Sequence, residues 1–456
     1  MRKALSAGLL PFYLLLCLIL GGASAAGLWA NVLLQLLAVP IIFVALAFQP
    51  RTPPTRAGRR LLMLLVLAIG IVMVQLVPLP PALWTALPGR ESVREGFALL
   101  GQPLPWLPLS LAPHDSIASA LWLLPAVAVV LWILRLGVRE SWIAWVLVFT
   151  MIASVLIGAM QIGGGEDSPW YLYRITNYGV TVGFFSNANH MATFLVATVP
   201  FLGALYMTAR ARRRSTQKSA GLVVILGGFF ALIVVGLAIN GSLAGLGLML
   251  PVTAATLLLM LRGRKIPLWA VALVLLLGAG SVAAVFSGRF DNNLISAEAQ
   301  TDAVSRYTTF TTSFEAVKDH LPFGSGLGTF QPVYRTYEDP ERVTTTYINH
   351  VHSDWIEIVL ETGLLGLAVL LLFLAWWARR AIAIWRAAEP DYFARAATIA
   401  SAAIIAHSLV DYPLRTVAIS AIFAACCSLM AIGRVAADRN AKRWPAKRPA
   451  RHIEAD

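Results

Sequence analysis

Two histidines and three carboxylates crowd the start of one apolar run: His350, His352, Asp354, Glu357 and Glu361. Ionisable groups at the lip of a membrane-length run are costly against lipid, so they must face protein or a wet cavity. Histidine changes charge near neutral pH, and beside carboxylates it suits the taking and giving of protons. On a helix, His352, Ile356, Val359 and Gly363 share one face, whereas Asp354, Glu357 and Glu361 share another. Gly363 and Gly366 are small enough to admit a neighbouring helix at close range. A plainer reading has Ser353 and Asp354 cap the helix while the carboxylates hydrogen-bond within a bundle.

The elements that must position this cluster follow from composition. Of 456 residues, 58% are hydrophobic and 13% charged, against about 25% charged in soluble domains. Apolar runs lie near 8–24, 28–48, 61–82, 116–134, 141–162, 187–208, 221–239, 242–261, 267–286, 353–378, 396–411 and 416–433. Runs of about 20 residues match the hydrocarbon thickness of a bilayer. Only helices or closed barrels satisfy the backbone there, and uninterrupted runs exclude the alternation of a barrel strand. The expected fold is therefore all-α: a polytopic membrane protein of about 12 transmembrane helices, domain 1–433, followed by a basic tail, 434–456.

With the N-terminus inside, 27 of the 36 basic residues fall in the cytoplasmic segments, as the positive-inside rule requires. Both ends are then cytoplasmic. The net charge of +13 belongs to this asymmetry and to a tail that lies against anionic lipid, so it does not imply nucleic acid. Cys17, Cys426 and Cys427 sit inside apolar runs and read as small hydrophobes. The first run, followed by Gly22-Ala23-Ser24-Ala25-Ala26, also has the look of a cleavable signal peptide. Its length and the span that follows at once favour a retained helix.

Three outside segments are long enough to act: 83–115, rich in Pro and Trp; 163–186, with Trp170, Tyr171, Tyr173 and Arg174; and 287–352, the longest. Within the last, Ser305 to Leu321 predicts a helix, closed by the turn from Pro322 to Gly328. The expected picture is a large periplasmic loop of short helices before the tenth span.

His352-Ser353, nine residues, then Gly363-Leu364-Leu365-Gly366 resembles the signature of the bacterial O-antigen ligases and their relatives, the O-antigen polymerases and protein O-glycosyltransferases. That signature is a histidine, then Asn, Ser or Gln, nine residues, and Gly-x-x-Gly. Its place after a large outside loop is also similar to the family. Gly183-Phe184-Phe185-Ser186-Asn187-Ala188-Asn189-His190 resembles the family's Asn-x-Asn-His start of a span. Ser305-Arg306 with Pro322 to Phe330 resembles the loop before the histidine, and His407 to Arg415 resembles a late-helix element of polysaccharide-assembly members. Residues 170–415 are covered.

The resemblance implies transfer of a glycan from an undecaprenyl-diphosphate donor to an acceptor hydroxyl, outside the bacterial inner membrane. The acceptor would be a glycan, a lipid A-core or a protein. It implies an inverting glycosyltransferase that needs no metal and no cofactor, with membrane lipids as its other partners. His352 is the expected general base, and the signature's register leaves His350 a supporting group. Arg174 and Arg306 are expected to stabilise the diphosphate leaving group, with Arg415 third; Asn187, Asn189, His190, Asp354 and Glu357 complete the substrate-binding set. Plainer roles stand beside these. Arg174 snorkels to headgroups, Arg306 pairs with Asp302, Asn187 to His190 cap and pack a span, and Asp411 pairs with Arg415. A transporter or flippase of lipid-linked sugars is the rival class; it would place charge at mid-membrane and break its helices there.

Overall fold

The computed structural model describes residues 2–25, 27–50, 53–212, 217–261, 267–287, 297–343 and 348–433. It is 73% helical with almost no strand. In chain order the helices are α1 (Arg2–Leu20), α2 (Trp29–Ala47), α3 (Arg56–Gln75), α4 (Pro81–Trp84), α5 (Glu91–Leu99) and α6 (Pro113–Leu121). Next come α7 (Leu124–Leu136), α8 (Glu140–Gly163), α9 (Ala188–Arg212), α10 (Gln217–Asn240), α11 (Leu243–Met260) and α12 (Leu268–Ser287). The chain ends in α13 (Ala297–His320), α14 (Phe330–Tyr337), α15 (Asp354–Trp385), α16 (Tyr392–His407) and α17 (Val417–Ile432). A two-residue antiparallel pair, β1 (Pro78–Leu79) with β2 (Leu107–Pro108), staples the loop after α3.

Every expected apolar run falls on a helix, the run at 116–134 being shared by α6 and α7. Among the described residues, eight helical stretches are long and apolar enough to cross a membrane. The remaining apolar helices are shorter, such as Gly8–Leu20, Trp269–Ala283 and Val417–Ile432. The tail 434–456 lies outside the described residues. Local chemistry starts the helices. The side chains of Thr55, Ser242, Ser353, Asp391 and Thr416 each accept a backbone N–H from the first turn of α3, α11, α15, α16 and α17, satisfying donors that a helix leaves open.

The main core gathers round α9, which packs against α8, α10, α11 and α16 and buries Met191, Phe194, Leu195 and Phe201. A second, smaller core lies over one end of the bundle. There Ala316 and Val317 of α13 meet Phe330, Val333 and Tyr334 of α14, with Val351 and Leu360. The helix expected from Ser305 thus begins earlier, at Ala297, and is a main wall of this cap.

Beneath the cap, α15 is broken. Gly363 takes φ 61°, ψ −153°, a region open essentially only to glycine. The expected close approach at this glycine occurs, but what approaches is the 322–328 turn and not a helix. The break frees carbonyls, and the turn takes them up. Ser325 N–H donates to Leu360 O at 2.9 Å, Gly326 N–H to Glu361 O at 2.9 Å, and Leu364 N–H to Pro322 O at 2.9 Å. Irregular backbone at this depth is tolerated only where protein satisfies it, as here.

Gln75 completes the joint. Its Nε2 donates to Glu361 O at 2.8 Å, its Oε1 accepts Leu327 N–H at 3.0 Å, and its side chain is buried. Gln75→Leu is expected to cost about 1–3 kcal/mol, because it strands the Leu327 N–H and leaves Glu361 O with Gly326 N–H alone. Thermal unfolding in detergent measures this, and an unchanged melting temperature would count against the joint.

Candidate active site at one end of the bundle

One cation meets three acids where α15 begins. Asp354, Glu357 and Glu361 lie on one face, as their spacing requires, and all three are buried. Arg415, on a 3₁₀ turn between α16 and α17, reaches across them. Its Nε lies 3.6 Å from Asp354 Oδ1, one terminal nitrogen 3.4 Å from Glu357 Oε1, and the other 3.1 Å from Glu361 Oε2. Asp411 faces His190, with Oδ1 3.8 Å from Nε2. Burial opposes the charge on Arg415, but Glu357, Glu361 and Asp354 outweigh it and hold the guanidinium above its ordinary pKa.

Each carboxylate also has neutral donors. Asp354 Oδ2 accepts from Ser408 Oγ at 2.8 Å and Leu414 N–H at 3.2 Å. Glu361 Oε1 accepts Gly328 N–H at 2.9 Å. Glu357 accepts Val351 N–H at 3.1 Å on one oxygen and His350 Nδ1 at 2.8 Å on the other. Three acids against one guanidinium leave an excess of negative charge, which cations and protons at the rim must balance.

The histidines surround Tyr412. Its ring lies 4.6 Å from that of His350, 5.0 Å from His190 and 5.1 Å from His352, while its hydroxyl donates to Asn349 Oδ1 at 3.2 Å. Burial, then the nearby Asp411 charge, raises the phenol pKa and keeps it protonated. His352 precedes the helix and does not share its face with Ile356 and Val359. Its φ of 60° is the one positive value at a non-glycine among the described residues. There the chain turns back into the N-cap Ser353. Such strain concentrates at functional sites.

The start of α9 borders this centre. Asn187 Oδ1 accepts Asn189 N–H at 2.8 Å, a local cap, and Asn189 Oδ1 accepts from Ser242 Oγ at 2.7 Å, tying α9 to α11. His190 is fully buried. Deeper, Thr193 Oγ1 and His407 Nδ1 lie 2.7 Å apart. Arg174 is exposed on the 164–187 loop, whose Asn177 is bonded to Ser186 O and Ala188 N–H. It makes no contact with the Arg415 cluster among the described residues. Arg306 lies on α13; its side chain and the suggested pairing with Asp302 are outside the described residues.

Tyr412 and Gln75 were not singled out from sequence. Gln75 carried a signal, a lone amide closing an otherwise apolar run. Tyr412 carried none beyond its place in the 407–415 element.

The chain is thus a membrane-type helical bundle with a buried polar centre at one end, under a cap of extra-bundle helices. Residues 228–371 match the O-antigen ligase family, a similarity over about a third of the chain that supports a place in the O-antigen ligase/polymerase superfamily. The matched segment holds His350, His352, Asp354, Glu357, Glu361 and the Gly363 break, while Arg415, Tyr412 and His190 come from outside it. No curated protein matches the chain.

Proposed function

We propose that this protein transfers or polymerises an undecaprenyl-diphosphate-linked glycan onto an acceptor hydroxyl at the periplasmic face of the bacterial inner membrane. The observation that carries the reading is the convergence of histidines, carboxylates and Arg415 at the cap end of the bundle, within and beside the family-matched segment. The bundle has about 12 spans with both ends cytoplasmic; residues 1–433 form one transferase domain and 287–352 its periplasmic cover. A lipid-linked donor demands a site at the membrane lip, where its glycan is in water and its chain in lipid.

The reaction is inverting and needs no metal. A hydroxyl attacks only as a base removes its proton, and a histidine beside Tyr412 takes that role; the signature's register points to His352. The diphosphate leaving group gathers charge that arginines stabilise. Arg415 is already shared by three carboxylates, so a diphosphate set directly on it would meet their excess charge. We place the diphosphate toward Arg174 and Arg306 instead, with Arg415 as the counter-charge that holds Asp354 and Glu357 in place. Asn187, Asn189 and His190 shape the adjoining wall.

The test is glycan transfer by the purified protein from an undecaprenyl-diphosphate glycan, with and without EDTA. Chelator-insensitive transfer supports the proposal; dependence on metal would overturn its metal-free form. Arg174→Ala is expected to raise the donor KM or lower kcat at least tenfold with no change in melting temperature, since its side chain is exposed. Unaltered kinetics would remove Arg174 from the site.

One observation favours the transporter reading: a broken helix, common in transporters. The break at Gly363 is filled by the 322–328 turn, however, and does not line an open path. Flipping of the labelled lipid across vesicles without transfer would decide for transport.

A further inference from the structure

We propose that α5 and the turn after it, residues 91–106, are an interfacial anchor that dips into the lipid leaflet at the cap end of the bundle. The inference needs the bundle to sit in a membrane and does not depend on glycan transfer. α5 is amphipathic. Val93, Phe97 and the C-cap Leu100 recur at i, i+4 and i+7, while Glu91, Arg94 and Glu95 hold the opposite face. None of its nine residues is buried. Val93 and Phe97 are half-buried, whereas Leu99 and Leu100 are 89% and 72% exposed and Trp106 is 65% exposed. A helix this short does not hold itself in water, so its apolar face needs more cover than the chain supplies.

The root of this excursion is fixed, so the exposure is not looseness. β1 pairs with β2 just past the end of α3, and Ser110 N–H donates to Gln75 O at 2.9 Å. Gly89 lies so close to α13 that a Cβ there would come 2.7 Å from the His320 ring. Arg90 is buried and donates to Leu109 O. Trp84, also buried, donates through Nε1 to Pro105 O at 2.9 Å. Beyond this root the cover stops: no residue from Glu91 to Trp106 is buried.

Lipid is the cover that fits. The excursion leaves the bundle from α3, the least buried of the eight membrane-length helices among the described residues. Its last turn exposes Met73 and Val74, and Val77 and Leu83 continue the exposed apolar band into the base of the excursion. Residues 96–106 carry no charge, and two acids and one arginine precede them at 91, 94 and 95. Anchoring therefore draws on burial of leucine and tryptophan and not on attraction to acidic headgroups. Tryptophan also suits the boundary between headgroups and hydrocarbon. A glycan would need hydrogen-bonding side chains, and residues 96–106 offer only Gln102 and the Trp106 N–H. A second copy of the chain would need about 20–30 residues on each side, more than 91–106 presents. The anchor sets the depth of a loop that holds the turn filling the α15 break. Leu111 N–H donates to Ser325 O at 2.8 Å, and Ser116 Oγ donates to Leu327 O at 2.6 Å.

The experiment places a nitroxide on Leu100→Cys and, on the charged face, on Glu95→Cys, in the full-length protein in phosphatidylethanolamine–phosphatidylglycerol vesicles. Cys17, Cys426 and Cys427 are buried and do not take the label. Collision with oxygen, which partitions into lipid, is compared with collision with a water-soluble nickel chelate. The oxygen-to-nickel ratio is expected to be at least about fivefold higher at 100 than at 95, and to persist in phosphatidylcholine vesicles. In a second measurement, amides of residues 91–100 are expected to exchange at least about tenfold faster in Leu100→Asp than in wild type, because the short helix loses its cover. Equal ratios at the two positions would mean a loop in water and would overturn the anchor. So would low access to both reagents, which means cover by protein. Dipolar broadening that disappears on dilution with unlabelled protein would point to a second copy and overturn it as well. A ratio that collapses without phosphatidylglycerol, or exchange unchanged in Leu100→Asp, would also count against it. The glycan-transfer reading stands or falls separately from all of these results.

Discussion

Gly363→Ala is expected to be among the most damaging single-methyl changes in this protein. A Cβ at this position would sit 2.2 Å from Pro322 O and 2.6 Å from the Phe323 carbonyl carbon. Both are backbone atoms that no side-chain rotation can clear. The residue also occupies φ 61°, ψ −153°, where a non-glycine pays about 1–3 kcal/mol before any clash. Overpacking adds a similar amount, so the loss is about 3 kcal/mol or more. The alternative open to the variant is to straighten α15 and expel the 322–328 turn. That would release Ser325 and Gly326 from Leu360 and Glu361 and Leu327 from Gln75. Either outcome lowers the melting temperature, and the second also exposes the 322–328 backbone to proteolysis. A melting temperature equal to wild type would show that the break is not needed.

Arg415→Ala should rival it. The side chain is the shared counter-charge for Asp354, Glu357 and Glu361, all buried. Removing one member of a buried ion cluster typically costs about 3–5 kcal/mol, because the remaining charges are stranded. Arg415→Lys is expected to recover only part of this. An ammonium is a compact point charge and cannot present the planar fork that spans three carboxylates. A charge-balance control separates this account from simple loss of volume: adding Glu361→Gln to Arg415→Ala should restore stability, since Gln keeps an oxygen for Gly328 N–H and removes one stranded charge. If the double variant is less stable than Arg415→Ala, measured by thermal unfolding in detergent, the charge argument fails.

Much of this arrangement was legible along the chain. The apolar runs located the helices because the length and composition of a lipid-compatible helix are local properties. Ser353 could be read as a helix start for the same reason, since a cap bonds within three residues. The carboxylates at 354, 357 and 361 shared the face that helical spacing assigned them. The signature pointed to the stretch that carries the polar cluster. His350, two residues upstream of the signature histidine, lies on Glu357, and the first signature glycine marks a break and not a helix contact.

What could not be read were the partners. Glu361 meets Arg415 across 54 residues and Gln75 across 286, and no periodicity reports contacts at such separations. Asp411 is four positions from Arg415, the spacing of a helical ion pair, yet the 3₁₀ turn at Pro413–Arg415 swings the arginine to α15, while Asp411 faces His190. The residues and their chemistry were therefore written in the chain: membrane-length helices, a polar lip and the types of group needed to move a proton. That His350 lies on Glu357, which acids share one arginine, and that Tyr412 stands among three imidazoles were settled by packing alone, because burial forces each polar group to find a partner wherever the fold happens to bring one.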